Sequence, residues 1–239
     1  MRAISTEAAI PRGEVVLSVR GLHHSFGQTE ALRGIDLDIK SGEILAIMGP
    51  SGSGKSTLLH LMAGVLTPES GVVEYAGVLI SACGEAERAR LRLSEFGFVF
   101  QFGQLLPDLS ALDNVTVPLL LSGQTRRMAV RTAREQLALL GLGEHLNKLP
   151  GQLSGGQAQR VAVARAMITS PKILFADEPT GALDSLAAER TMNELTQLAH
   201  ARATTLVIIT HDPRTAAYAD RVVIIRDGLV NTESLQSVE

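Results

Sequence analysis

A chain of 239 residues with 45% hydrophobic and 20% charged side chains can bury a sizeable core, as one large domain or two small ones, and most of it is too apolar to be disordered. Its formal net charge of −3 gives no overall electrostatic reason to bind nucleic acid or an acidic membrane. The lone cysteine, Cys83, excludes an internal disulfide, fits a reducing compartment, and has no neighbours in sequence that would make it a nucleophile.

Residues 1–14 carry no apolar run of the secretory type and read as a loose tail. No apolar run reaches the length needed to cross a bilayer, so the chain is expected to be soluble by itself. VVLSVRGL from Val15 and LRGIDLDI from Leu32 alternate apolar and polar residues, as half-buried strands do. EILAIMG, from Glu43, is a fully apolar strand running into a glycine-rich turn, and a helix is expected from about Lys55 through STLLHLMAGV. GVVEYAGVLI predicts a strand pair or a bent strand, GEAERARLRLSE a short charged helix, and FGFVFQ another apolar strand.

From Phe102 to about Met167 the signals turn helical. RRMAVRTAREQLALLGL places Val130, Ala133, Leu137 and Leu140 on one face and Arg126, Arg127, Arg131 and Arg134 opposite. These arginines, and Arg88, Arg90 and Arg92, read first as solvated helix faces, with a docking surface for a partner or lipid headgroups as the alternative. Strands then return as KILFADE, TTLVIIT and RVVIIRDG, the first two separated by a helix around SLAAERTMNELTQLAHAR. Continuous apolar strands alternating with helices imply an α/β fold with a parallel sheet covered on both faces, here carrying a helical insertion.

Gly49 to Thr57, GPSGSGKST, satisfies the phosphate-loop pattern and sits between an apolar strand and a helix, the context that motif requires. Its glycines let backbone N–H groups wrap phosphates, Lys55 neutralises charge, and Ser56 offers a hydroxyl to Mg²⁺. ILFADE ends in two carboxylates at the C-terminal end of a buried strand: Asp177 suits Mg²⁺, and Glu178 suits a general base or water-orienting group. His211 closes the next apolar strand, where the same ligand would lie. The adjacent His23 and His24 do not form a metal pair, because neighbouring strand residues point to opposite faces.

A second anion-binding signal lies far along the chain. In LSGGQ, Ser154 can cap a helix while Gly155 and Gly156 let backbone N–H groups approach a ligand. Two phosphate-binding loops in one chain are redundant unless one of them closes onto nucleotide held by another copy.

Taken together, GPSGSGKST, Gln101 after FGFVF, LSGGQ, ILFADE, GALD and His211 resemble the ATP-binding cassette (ABC) family in order and spacing, over about Val15 to Gly228. The resemblance implies a P-loop NTPase cassette with a parallel-sheet core and an N-terminal antiparallel β-subdomain. The single domain would span 15–230, with core segments 15–101 and 168–230, a helical subdomain at about 102–167 and a short tail at 231–239. It further implies a head-to-tail homodimer sandwiching two ATP–Mg²⁺. Each nucleotide would contact Gly49, Pro50, Ser51, Gly52, Ser53, Gly54, Lys55, Ser56 and Thr57 of one subunit and Ser154, Gly155, Gly156 and Gln157 of the other. By the same resemblance, Phe26 would stack on adenine, Gln101 would sense Mg²⁺ and the attacking water, Asp184 would cross the interface, and His211 would touch the γ-phosphate. Ala158 replaces the second Gln of many relatives, beyond the phosphate-contacting turn.

Three classes compete: a transporter ATPase, a soluble cassette acting on DNA or the ribosome, and a small-molecule phosphotransferase. The separation of 122 positions from Lys55 to Asp177 leaves no room for long coiled-coil arms, one cassette is present rather than two, and a kinase has no use for LSGGQ. The stretch from Phe96 to Gly123 resembles the lipoprotein-release, macrolide-export, bacitracin-resistance and haem-export subfamily, whose members pair with four-helix permeases. The resemblance places the chain at the cytoplasmic face of the membrane, with residues around Gln101 to Asn114 receiving the permease. GALD in place of GNLD leans toward the haem, antibiotic or peptide-resistance branches.

Overall fold

The computed structural model describes residues 10–101 and 104–231. The expected N-terminal tail up to residue 9, Phe102 and Gly103 of the expected permease loop, and the C-terminal tail from residue 232 lie outside these. Long β1 (Val15–Phe26) and β2 (Thr29–Lys40) pair antiparallel, and β1 pairs on its other edge with β4 (Ser70–Tyr75), which continues to β5 (Val78–Leu79). The result is a four-stranded antiparallel sheet of order β2-β1-β4-β5. The expected strand pair at GVVEYAGVLI is therefore β4 and β5.

The second sheet has the order β10-β9-β3-β8-β7-β6. Its strands β3 (Ile44–Met48), β6 (Phe96–Phe100), β7 (Ile173–Asp177), β8 (Thr205–Thr210) and β9 (Arg221–Arg226) are all parallel, and only β10 (Leu229–Asn231) is antiparallel, against β9. Apolar runs without a polar face form these strands because both faces are covered. Leu45, Ile47, Ile173, Phe175, Val207 and Ile209 enter one core, shared with the antiparallel sheet and α1 (Lys55–Met62). Their neighbours Ile44, Leu174, Ala176, Leu206 and Ile208 enter a second core, beneath α5 (Gly155–Met167) and α6 (Ser185–Ala201). Helix α1 is shorter than its sequence suggests: it ends before Gly64, whose φ of 65° turns the chain out of the helix.

Between β5 and β6 lies α2 (Glu85–Ser94), whose Glu85 pairs with Arg88 and Arg92. The helical stretch after β6 contains α3 (Ala111–Leu121), α4 (Arg126–Leu139) and then α5, around a third core. Ala133, Leu137 and Leu140 are buried there with Val130 packed against them, and the four arginines of α4 are exposed, as the periodicity predicts. Helix α5 belongs to two cores: Val161, Ala164 and Ile168 face α3 and α4, while Val163, Ala166 and Met167 face the parallel sheet. Gly97 of β6 permits that approach, since a Cβ there would stand 2.4 Å from the Ala166 carbonyl oxygen.

Parallel register then fixes the site. Phe100 pairs with Asp177, Asp177 with Ile209, and Met48 with Thr210. Gln101, Glu178, His211 and the phosphate loop therefore all leave the sheet at the same C-terminal edge, where open α/β sheets bind ligands.

Candidate functional site

The phosphate loop connects β3 to α1, with Gly54 as the helix N-cap in a left-handed conformation. Gly49 has φ 153° and lies so close to β9 that a Cβ would stand 2.1 Å from the Ile225 carbonyl oxygen, so no other residue fits this turn. A cleft of about 670 Å³ opens above the loop. Phe26, Pro50, Ser51, Gly52, Gly54, Lys55, Ser56, Thr57, Gln101, Asp177, Glu178 and His211 line it, all of them candidates from the sequence. Gly49 and Ser53 do not line it. Gly49 packs on Ile225, and the Ser53 side chain turns inward, its hydroxyl buried without a hydrogen-bond partner among the described residues.

Lys55 is buried in the loop, and its ammonium donates to the Pro50 carbonyl at 2.7 Å. Burial pulls its pKa down, opposed by the negative charges of Glu178 and Asp177. The Asp177 carboxyl is raised by burial, while a hydrogen bond with Ser56 lowers it and the charge of Glu178 raises it further. Two carboxylates at a strand end thus share a half-buried place with Lys55 beside the first turn of a helix. Glu178 itself has φ 48°, a conformation in which non-glycine residues concentrate at functional sites. The Glu178 carboxylate accepts from His211 Nδ1 at 2.7 Å and from the Thr210 hydroxyl at 3.3 Å. Gln101 lies with its amide against Gly181, directly after the carboxylate turn.

Phe26 ends β1 and is 56% exposed, an aromatic face presented at the cleft rather than packed in the core. The His24 ring meets it edge to face at 4.9 Å. His23 instead faces Gly34 across the sheet, so the two histidines diverge as strand geometry requires. Among the described residues no cluster of three or more His, Cys, Asp or Glu side chains could hold a metal by itself.

The other half of the sequence-predicted set is elsewhere. Ser154, Gly155, Gly156 and Asp184 line a separate concavity of about 380 Å³ with Ala182, Arg160 and Arg190. Ser154 caps α5: its hydroxyl accepts from Gln157 N at 3.3 Å, and Gln157 Oε1 accepts from Ser154 N at 3.0 Å. Asp184 caps α6 through Ala187 N at 2.9 Å. One chain therefore brings the residues of the phosphate loop and the carboxylate strand (the Walker residues) together and leaves those of LSGGQ (the signature) facing outward.

Sequence reasoning did not find the residue that joins these parts. Gln159, buried on α5, donates to the Pro179 carbonyl at 2.8 Å and the Phe100 carbonyl at 3.3 Å, linking the signature helix to the turn after Glu178 and the strand before Gln101. Asn114 is buried on α3 and pins the preceding loop by bonds to Leu106 N and to the carbonyls of Leu106, Leu109 and Ser110.

The family profile described as "ABC transporter" matches residues 32–181. The chain belongs to the ABC transporter family. Its relatives include the lipoprotein-releasing system ATP-binding protein LolD 2 of Caulobacter vibrioides, 46% identical over 217 residues that cover 89% of this chain and 95% of that protein. The macrolide export ATP-binding/permease protein MacB of Nitrosomonas europaea is 46% identical over 225 residues, covering 92% of this chain but 34% of that longer protein. Among solved structures, the cassette MJ0796 in a dimeric post-hydrolysis state with ADP and Pi superposes with a TM-score of 0.84 at 36% identity, covering 93% of this chain and 99% of that one.

The protein is thus an ATP-binding and ATP-hydrolysing ABC cassette of the lipoprotein-release and macrolide-export type, working in membrane transport. The non-transport alternatives are set aside by the same relatives. LolD and MacB match at equal identity, so the lean that GALD suggests toward haem or antibiotic branches gains nothing from them. Among the described residues no helix is long and apolar enough to cross a membrane.

Proposed function

We propose that two copies of the cassette associate head to tail around two ATP molecules and drive a pair of integral-membrane permease subunits of the four-helix type from the cytoplasmic face. The observation carrying this reading is the separation within one chain of the Walker cleft from the concavity around Ser154. The signature residues have no phosphate to meet unless a second chain supplies it, and MJ0796 is described as dimeric with ADP and Pi.

In this reading Phe26 stacks on the base and the phosphate-loop N–H groups hold the β- and γ-phosphates. Lys55 exchanges its bond to Pro50 for a phosphate oxygen. Gly49 and the Ser53 side chain shape the loop. The carboxylate pair beside the Ser56 hydroxyl fits a divalent cation by the chemistry of its donors: Asp177, raised chiefly by burial, already shares a hydrogen bond with Ser56 and feels the like charge of Glu178. Ser56 and Asp177 would hold Mg²⁺, with Gln101 nearby, and the ion would supply charge neutralisation on the phosphates. Glu178 accepts the proton of the attacking water or orients it, and His211, already bonded to Glu178, reaches the γ-phosphate side of the cleft. Ser154, Gly155, Gly156 and the start of α5 close from the other subunit, adding N–H donors and a helix dipole to the developing charge. Closure follows only because ATP binds the closed pair better than the open one.

The permease would dock near residues 101–114. Leu106, within this stretch, is an exposed apolar side chain, which suits a partner surface. The cargo class is that of an exporter or mechanotransmission system: the relatives are named for lipoprotein release and macrolide export, and the haem and peptide types stand on the resemblance of the sequence alone. The deciding experiment is Glu178→Gln. It should keep ATP binding, lose turnover by about 100-fold or more, and accumulate an ATP-bound dimer. Normal turnover in that variant would remove Glu178 from its role. Co-purification from gently extracted membranes should recover a four-helix permease with a large external domain; recovery of another architecture would leave the ATPase chemistry standing and end the permease assignment.

A further inference from the structure

The segment between α4 and α5 carries His145, held in a turn by His145 N to Leu142 O and Lys148 N to His145 O. Its Nε2 lies 3.0 Å from Nε2 of Gln157, the last residue of the signature. The direction of that bond follows from the capping box. Gln157 Oε1 is already the acceptor for Ser154 N at 3.0 Å, so the nitrogen of the same amide faces His145. An amide nitrogen has no lone pair to offer and must donate. His145 Nε2 is therefore the acceptor, and the neutral ring carries its proton on Nδ1. That Nδ1 is buried without a hydrogen-bond partner among the described residues. A ring held in a tautomer that leaves one nitrogen unsatisfied pays a desolvation penalty to keep the other bond.

We infer that His145 is a positioning residue for the signature loop: by accepting from Gln157 it fixes which way the amide faces, and so holds the box that presents Ser154 outward. If the amide turned over, Gln157 would offer Ser154 N a second donor in place of an acceptor, and the cap would open. The function of His145 lies in the second subunit's nucleotide site, so the inference rests on the sandwich proposed above. It adds a residue outside every motif, and it explains why Gln157 does not join Ser154 in lining the outward concavity.

The test uses chemistry specific to Nε2. In the full chain carrying Glu178→Gln, the ATP concentration giving half-maximal dimer is measured by light scattering for the parent and for His145→Gln, His145→Asn and His145→Leu. A glutamine amide reaches the place of Nε2, an asparagine amide only that of Nδ1. His145→Gln should stay within about twofold of the parent, while His145→Asn and His145→Leu should need about fivefold more ATP, the scale of losing an N-cap. Binding of a fluorescent ATP analogue to the monomer should be unchanged in all three. Equal dimerisation by His145→Leu and the parent, or no difference between the Gln and Asn variants, overturns the inference. Equal weakening of all three with a lowered melting temperature also overturns it, by showing a packing role alone. If the parent binds ATP but forms no dimer, the sandwich itself falls and this inference with it; if the parent dimerises, any failure belongs to His145 alone.

Discussion

Replacing Gln159 with leucine removes a buried donor while keeping the side chain's bulk. The Pro179 carbonyl, which accepts at 2.8 Å, and the Phe100 carbonyl, at 3.3 Å, both lose their bond from α5. The first is short and buried, and leaving such an acceptor unpaired costs about 1–3 kcal/mol. The second is long and adds little. We therefore predict a net loss of about 2 kcal/mol, which for a chain of this size lowers the melting temperature by about 4–8 °C. Scanning calorimetry without nucleotide measures it directly. Gln159→Glu sharpens the test, because a carboxylate facing two carbonyls is worse than leucine at neutral pH. Protonation restores a donor, so the folded pKa of that Glu is raised above its unfolded value. The variant's stability should then rise as pH falls through the folded pKa toward the unfolded one, and level off below it. A leucine variant melting within 1 °C of the parent, or a glutamate variant without that pH trend, would refute the view that this bridge holds the signature helix to the site.

Ser154→Arg should bind nucleotide normally as a monomer and fail to dimerise with ATP; loss of monomer binding by equilibrium titration would place the signature in the cis site. Phe26→Ala should weaken ATP binding about three- to tenfold with the melting temperature unchanged, since Phe26 is 56% exposed; a clear drop in stability would return Phe26 to the core. Gly49→Ala should abolish nucleotide binding and cost about 2–5 kcal/mol, because its Cβ would stand 2.1 Å from Ile225 O in a strained backbone; an intact loop in that variant would contradict the packing described.

Some of this was legible in the sequence, for physical reasons that can be named. β3, β7 and β8 are short runs of apolar residues because both their faces are covered, and that pattern survives without any neighbour being known. The phosphate loop and the capped start of α5 are local devices, written in adjacent residues. The strand order was not legible, since it depends on crossovers between distant segments. Nor was the division of labour inside GPSGSGKST, where only the packing of Gly49 on Ile225 and the inward turn of Ser53 separate residues that shape the loop from those that face the cleft. Gln159 escaped because a polar residue on an amphipathic helix reads as solvent-facing until its partners, 59 and 20 positions away, are brought beside it. His145 lay outside every motif, and its meaning depends on which atom of Gln157 is already taken.

Helix α5 has apolar side chains in two cores at once and lies against the backbone of Gly97. The inserted helices therefore cannot be lifted out with α5 as a self-contained module. A graft between related cassettes has to break the chain before Ser154 and leave the signature helix with the recipient's sheet, carrying across only α3, α4 and their loops. Heat should find the same seam closed: with one helix serving as a wall for both compartments, loss of either exposes the other, and the chain should melt in one step rather than two.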